Sequence, residues 1–141
     1  MSAEEPVSAV EEVRRAAAAL VAAFGRGDLD AYFACFAPDA SFLFPTTAGL
    51  VPSTGAYRRE WARWEAEDGF RVLDCTTSDT DVRLHGDTAV LTHRVRTTVA
   101  ASGTTSVLHE RETIVFSRDD DGRWLAVHEH LSPDPAGAPA S

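Results

Sequence analysis

The feature that most restricts this chain is a change of hydrophobic period near its midpoint. Before residue 69 the apolar side chains recur at helical spacing; beyond it they follow the alternation of β-strands. Val10, Val13, Ala17, Leu20, Val21 and Phe24 share one helical face, and Ser8 followed by Glu11 forms a capping box that opens that helix. It should stop at Gly25–Gly27. Asp28 can then cap a shorter helix carrying Leu29, Tyr32, Phe33 and Phe36, ended by Pro38. Residues 40–45 read as a short strand with Phe42 and Phe44 on one face, and residues 46–53 as a loop. A third helix is expected over 54–67, with Tyr57, Trp61 and Trp64 stacked on one side.

Four segments with strand character follow, over 70–84, 88–100, 105–117 and 123–132, and the first should bulge or split near Ser78–Asp81. The breaks at 84–87, 101–104 and 119–122 carry Gly, Asp and Ser and suit hairpin turns. The fold class implied is α+β: three N-terminal helices packed on a strongly curved, mainly antiparallel sheet that encloses a pocket. Residues 8–132 are read as the domain, 1–7 as a flexible start, and the Pro/Ala/Gly-rich stretch 133–141 as a disordered tail.

Charge narrows the partners. The net charge is −9, and all thirteen basic residues are arginine, with no basic stripe. That argues against nucleic acid and against anionic membrane surfaces. No apolar run approaches a membrane span, and the start of the chain lacks the features of a signal peptide, so a cytoplasmic location is expected. Cys35 and Cys75 belong to no paired motif and read as small buried hydrophobes.

Hairpin pairing brings distant residues into rows. If the second hairpin centres on Gly103 and the third on residues 120–121, then Arg94, Glu112 and Glu129 form one row. His93, Thr113 and His128 form a row on the opposite face, with Arg111 and His130 beside it. Ile114, Phe116, Leu125, Val127 and Leu131 share parity with the first row, so that row should face the helices, while Trp124 and Ala126 go with the histidines. One residue of slip would rearrange every row. An Arg with two Glu in an oily concavity reads either as an ion triad that pins strand register or as a polar pocket floor. As a floor, the neighbouring carboxylates would raise one pKa and supply general acid–base chemistry. The histidine face could bind a metal, but Arg111 is a poor neighbour for a cation. It reads better as a surface covered by a second subunit, so no metal is expected. Tyr57, Trp61 and Trp64 serve either as core or, with Phe44, as a pocket wall against a flat hydrophobic ligand.

The stretch from Arg111 to Ser132, ending Trp124 … His128-Glu-His-Leu-Ser132, resembles the end of NTF2-like proteins, in particular the SnoaL-like group related to the association domain of calcium/calmodulin-dependent kinase II. Gly27-Asp-Leu-Asp-Ala31 with Phe36-Ala-Pro-Asp-Ala-Ser-Phe42, and Thr54-Gly-Ala-Tyr-Arg-Arg-Glu-Trp61, are similar to that group's second helix, first strand and third helix. The resemblance implies a cone-shaped α+β barrel with a deep pocket, commonly dimeric through the sheet. Arg94 matches one of the pocket arginines of the kinase-association domains, whereas two further arginine positions fall on Ile114 and Leu131. The implied cavity is therefore oilier, lined by Phe44, Tyr57, Trp61, Trp64, Ile114 and Leu131. The catalytic acid of the family's cyclases and isomerases has no residue-by-residue match here.

Two functions remain open at this level. The first is a cofactor-independent isomerase, cyclase or dehydratase acting on a hydrophobic metabolite, with Glu129 or Glu112 moving a proton and Arg94 stabilising an oxyanion. The second is a non-catalytic ligand-binding or assembly module, dimerising through the face bearing His93, Thr113, His128 and His130.

Overall fold

A computed structural model of the chain describes residues 8–136. Its elements in chain order are α1 (Ala9–Gly25), α2 (Leu29–Phe33), β1 (Phe36–Leu43), α3 (Thr54–Asp68), β2 (Arg71–His85), β3 (Thr88–Ala101), β4 (Thr104–Arg118) and β5 (Trp124–Pro133). The local signals act where the sequence placed them. Ser8 Oγ accepts the Glu11 amide, Asp28 accepts that of Ala31 and Ser53 that of Ala56, so each helix opens on a side-chain cap. Gly69 closes α3 at φ 61°, a left-handed conformation that costs glycine little.

The five strands form one open sheet in the order β1-β5-β4-β3-β2, with β1 parallel to β5 and the other neighbours antiparallel. The sheet is curved but not closed. Irregularities in β2 at Val72–Asp74 and Ser78–Asp81, in β5 opposite Val115–Phe116, and in β1 supply local bends. The bulge expected near Ser78–Asp81 is present, with Asp79 at φ 55°. Pro38 does not end the second helix. That helix stops at Phe33, and Pro38 sits inside β1, in the segment between Phe36 and Ser41 where pairing with β5 is interrupted. A bulge tolerates a residue that has no amide to donate.

Two registers differ from the sequence reading. Ser102 and Gly103 both have positive φ, 52° and 77°, and Ala101 pairs directly with Thr104. This is the geometry of a two-residue type I′ turn. It sets the β3–β4 pairing one residue away from that assumed, so His93 faces Glu112 and Arg94 faces Arg111. At the last hairpin, Asp119 accepts the amides of Asp121 and Arg123, making a longer turn that pairs Arg118 with Trp124. The bulge beyond it then reverses parity along β5. Trp124 and Ala126 enter the core, Leu125 is left half-buried, and Glu129 and Leu131 face inward again.

The core lies between the helices and one face of the sheet. Val13, Ala17, Leu20 and Ala23 of α1, Tyr32 and Phe33 of α2, and Tyr57 and Trp61 of α3 pack on the inner residues of the strands. Thr54 Oγ1 donates to the Ala37 carbonyl at 2.6 Å and ties the start of α3 to the irregular part of β1. Residues 133–136 continue from the last strand. Pro133 closes β5, Asp134 is buried, its amide donates to His109, and its carboxylate accepts from Ala136. Residues 137–141 and 1–7 lie outside the described residues.

Candidate active site

Curvature and the covering helices leave a cavity of about 560 Å³ between α1, α3 and the inner sheet face. Its walls are mainly apolar. Phe44, Tyr57, Trp61, Trp64 and Leu131 line it, as do Leu20, Phe24, Phe70, Val95 and Val99. The aromatic stripe of α3 is therefore both core and wall: Tyr57 and Trp61 are buried at their backs, and Trp64 is half-buried towards the opening. Ring centroids of 6.0 Å for Tyr57–Trp61 and 6.3 Å for Trp61–Trp64 keep the three in contact. Ile114 points to the same side but lies beneath the wall, fully buried, and does not reach the cavity.

The polar floor contains both glutamates expected there but not the arginine. Glu112 and Glu129 line the cavity with 7% and 4% exposure. Arg94 is on the outer face, half-exposed, with Nε 3.5 Å from Asp79 and 3.6 Å from Asp134. His93 takes the inward place: its Nε2 stands 2.5 Å from Glu112 Oε1, and the ring is buried. The alternation Ala89, Leu91, His93, Val95, Thr97, Val99 along β3 marks that inward row, because all its other members are apolar or small and buried.

With no guanidinium at this floor among the described residues, burial dominates its ionisation. Burial raises Glu112 to about 7, against a hydrogen bond from Glu129 that pulls it down. Glu129 is raised well above the usual carboxylate range by burial, by the Glu112 charge and by the hydrogen bond it makes to Glu112 as an acid. Burial lowers His93 to about 4, opposed by the charge of Glu129, so near neutrality the imidazole is uncharged. A neutral His93 that donates Nε2–H to Glu112, and a Glu129 acid that donates to the same carboxyl, satisfy all these contacts together. Glu129 Oε2 is buried without a hydrogen-bond partner among the described residues.

Tyr32 completes the floor and was not singled out from the sequence. Its hydroxyl is 2.9 Å from that of Tyr57, and both rings line the cavity. Burial first, and the Glu129 charge second, hold both phenols well above their ordinary range, so they remain neutral donors. Cys75 also lines the cavity, and burial pushes its thiol up to about 12, which makes it a wall atom rather than a nucleophile.

Thr113 and His130 lie on the outer face, as does His128, whose Nδ1 is 2.8 Å from Ser41 Oγ. His93 is on the other side of the sheet, so the expected row of His93, Thr113 and His128 does not form. Among the described residues, no three His, Cys, Asp or Glu side chains form a cluster suited to a metal ion, and no helix is long and apolar enough to cross a membrane.

A sequence profile described as a SnoaL-like domain matches residues 13–136. No curated protein matches the sequence significantly. Several solved structures share the fold. The CaMKII hub of S. rosetta superposes with a TM-score of 0.73 at 24% identity, covering 92% of this chain and 99% of that one. An NTF2-like protein from Cytophaga hutchinsonii gives 0.75 at 16% identity, covering 91% and 100%. A ketosteroid isomerase-like protein from Erwinia carotovora atroseptica gives 0.73 at 18% identity, covering 87% and 94%. At these identities the likeness is one of fold.

Proposed function

The chain belongs to the SnoaL-like domain family, and from that premise we propose that it is a cofactor-independent acid–base enzyme acting on a hydrophobic carbonyl compound, of the isomerase, cyclase or dehydratase type. The observation that carries this reading is the pair Glu112 and Glu129, two carboxyls in contact at the floor of an apolar cavity, both with raised pKa values. A carboxyl that titrates near neutrality is matched to proton transfer at the pH of the cell.

The roles follow from the hydrogen bond between the two carboxyls, which lowers Glu112 and raises Glu129. Glu112 loses its proton first and is the base. It takes a proton from the carbon beside the substrate carbonyl, and the electron pair moves onto the carbonyl oxygen. Glu129, still an acid, holds Glu112 through its hydrogen bond, and the Tyr32–Tyr57 hydroxyl pair, kept neutral by burial, supplies the donor that stabilises the enolate oxygen in a site of low dielectric. Return of the proton from Glu112 to the γ-carbon of a β,γ-unsaturated substrate completes an isomerisation; in a β-hydroxy substrate the enolate pair forms the α,β double bond as the C–O bond breaks, and the leaving hydroxyl takes the proton from Glu112 and departs as water. His93 touches no substrate in this scheme and positions Glu112. Arg94 has no part in it.

Exchange of the α-protons of β-tetralone with D2O, followed by NMR, tests the reading without knowledge of the natural substrate. The protein should accelerate exchange, and Glu112→Gln should reduce the acceleration by at least about a hundredfold. Exchange at the buffer rate, or equal rates for wild type, Glu112→Gln and Glu129→Gln, would remove the mechanism.

A second role as an assembly module is favoured by the outer sheet face. There Val115, Thr113 and His128 are only half-exposed, and a concavity of about 400 Å³ opens beside Arg111 and His130. We propose a homodimer through this face, now without His93. Sedimentation velocity should show a dimer that Val115→Glu dissociates, and a wild-type monomer at micromolar concentration would end the proposal.

A further inference from the structure

The charged groups around the cavity are unbalanced. Glu67, Asp68, Glu110, Glu112 and Glu129 line it, and among the described residues Arg63 is the one cationic side chain that does. Arg63 is already held by Glu60 and by Glu67, the latter at 3.3 Å, and is more than half exposed at the rim. No cationic side chain among the described residues therefore reaches the floor. Glu110, two residues along β4 from Glu112 on the same face, adds a third carboxyl to the interior, and burial raises its pKa as well. The other titratable neighbours are Tyr32, Tyr57, Cys75 and His93, and none carries positive charge near neutrality.

Two further observations point to a donor-bearing ligand. Glu129, with only 4% exposure, is one of the residues lining the cavity, and its buried Oε2 has no hydrogen-bond partner among the described residues. A buried acceptor left in this state is costly until a donor arrives. Around it stand the aromatic rings of Tyr57, Trp61, Trp64 and Phe70. Carboxyls at the base of a cavity walled by aromatic rings favour an organic cation, through ion pairing and cation–π attraction together. The same surroundings repel a carboxylate of equal size, which would find no counter-charge.

We propose that the cavity selects hydrophobic ligands bearing a basic nitrogen, held as an ammonium among Glu110, Glu112 and Glu129, and discriminates against carboxylates of the same shape. This narrows the substrate class of the site proposed above and rests on its being a ligand pocket. It also has a consequence for the proton inventory. An ammonium beside the pair favours its singly ionised form, so binding drives Glu112 to release a proton to the buffer. That leaves Glu112 as the ready base and Glu129 as the acid. A cationic substrate would thus prime the site on arrival, whereas a neutral one would not.

Titration calorimetry on the full chain at about pH 6, in two buffers of different ionisation enthalpy, tests this with naphthylmethylamine, naphthylmethanol and naphthoate. The amine should bind about tenfold or more tightly than the alcohol, naphthoate should bind weakest, and only the amine should release a proton. Glu129→Gln and Glu110→Gln should each lower the amine-to-alcohol affinity ratio. Should either variant fail to fold, the wild-type proton release and ligand ranking decide alone. Equal binding of all three probes, or preference for naphthoate, overturns the selectivity and leaves the pocket reading standing. Binding of none of the three overturns both.

Discussion

Glu112 and Glu129 keep protons that water would take from them, and this fixes how stability depends on pH. An acid whose folded pKa exceeds its unfolded value binds more protons in the native state, so stability falls as pH rises between those two values. For Glu112 that window runs from 4.5 to about 7, and Glu129, raised well above the ordinary carboxylate range, acts in the same direction. His93, lowered from 6.5 to about 4, acts oppositely: its neutral native form is increasingly favoured as pH rises from 4 to 6.5. The two effects oppose each other below pH 6.5 and only the carboxyl effect continues above it. Thermal unfolding should therefore show a melting temperature that declines as pH rises above about 6.5. Glu129→Gln should flatten the decline and raise stability at the upper end by on the order of 2 kcal/mol. His93→Phe should cost about 1–3 kcal/mol, because it strips Glu112 of a buried donor. Both glutamates were legible in the sequence as acids on an oily strand face. The exchange of Arg94 for His93 was not, because it turns on two backbone φ angles at Ser102 and Gly103 that no side-chain pattern states.

Elements were read more securely than the pairing between them. Caps at Ser8, Asp28 and Ser53 and the terminator Gly69 are local signals, and α1 and α3 begin and end within a residue or two of the expected positions. Phe36 and Pro38 were misassigned because a proline ends a helix and tolerates a bulge equally well, and the choice was made by pairing with β5, distant in sequence. Parity along β5 failed for a related reason: the bulge near Val127 moves Trp124 and Ala126 to the core side while leaving Glu129 inward. The Ser102-Gly103 turn carries the register that assembles the floor. Gly103, at φ 77°, should lose about 1 kcal/mol or more on replacement by valine, measured by chemical denaturation. An unchanged midpoint would mean that the turn does not hold the register.

At the scale of the whole molecule, three helices press on one face of an open, bulged sheet, and the space they fail to fill becomes the cavity. The succession of helices and hairpins made that architecture legible, and the resemblance of residues 111–132 to SnoaL-like proteins pointed the same way. The ionisation of the floor was not legible, since it depends on the absence of Arg94 from the cavity and on the contact between Glu112 and Glu129. Loss of that contact would leave a greasy pocket of ordinary acidity and no reason to expect proton chemistry. A carbon-detected NMR titration of the glutamate side-chain carboxyls tests this most directly. The expected result is a Glu112 carboxyl that titrates near 7 and a Glu129 carboxyl that titrates well above the ordinary carboxylate range. Titration of both near the ordinary 4.5 would contradict the acid–base reading of the site.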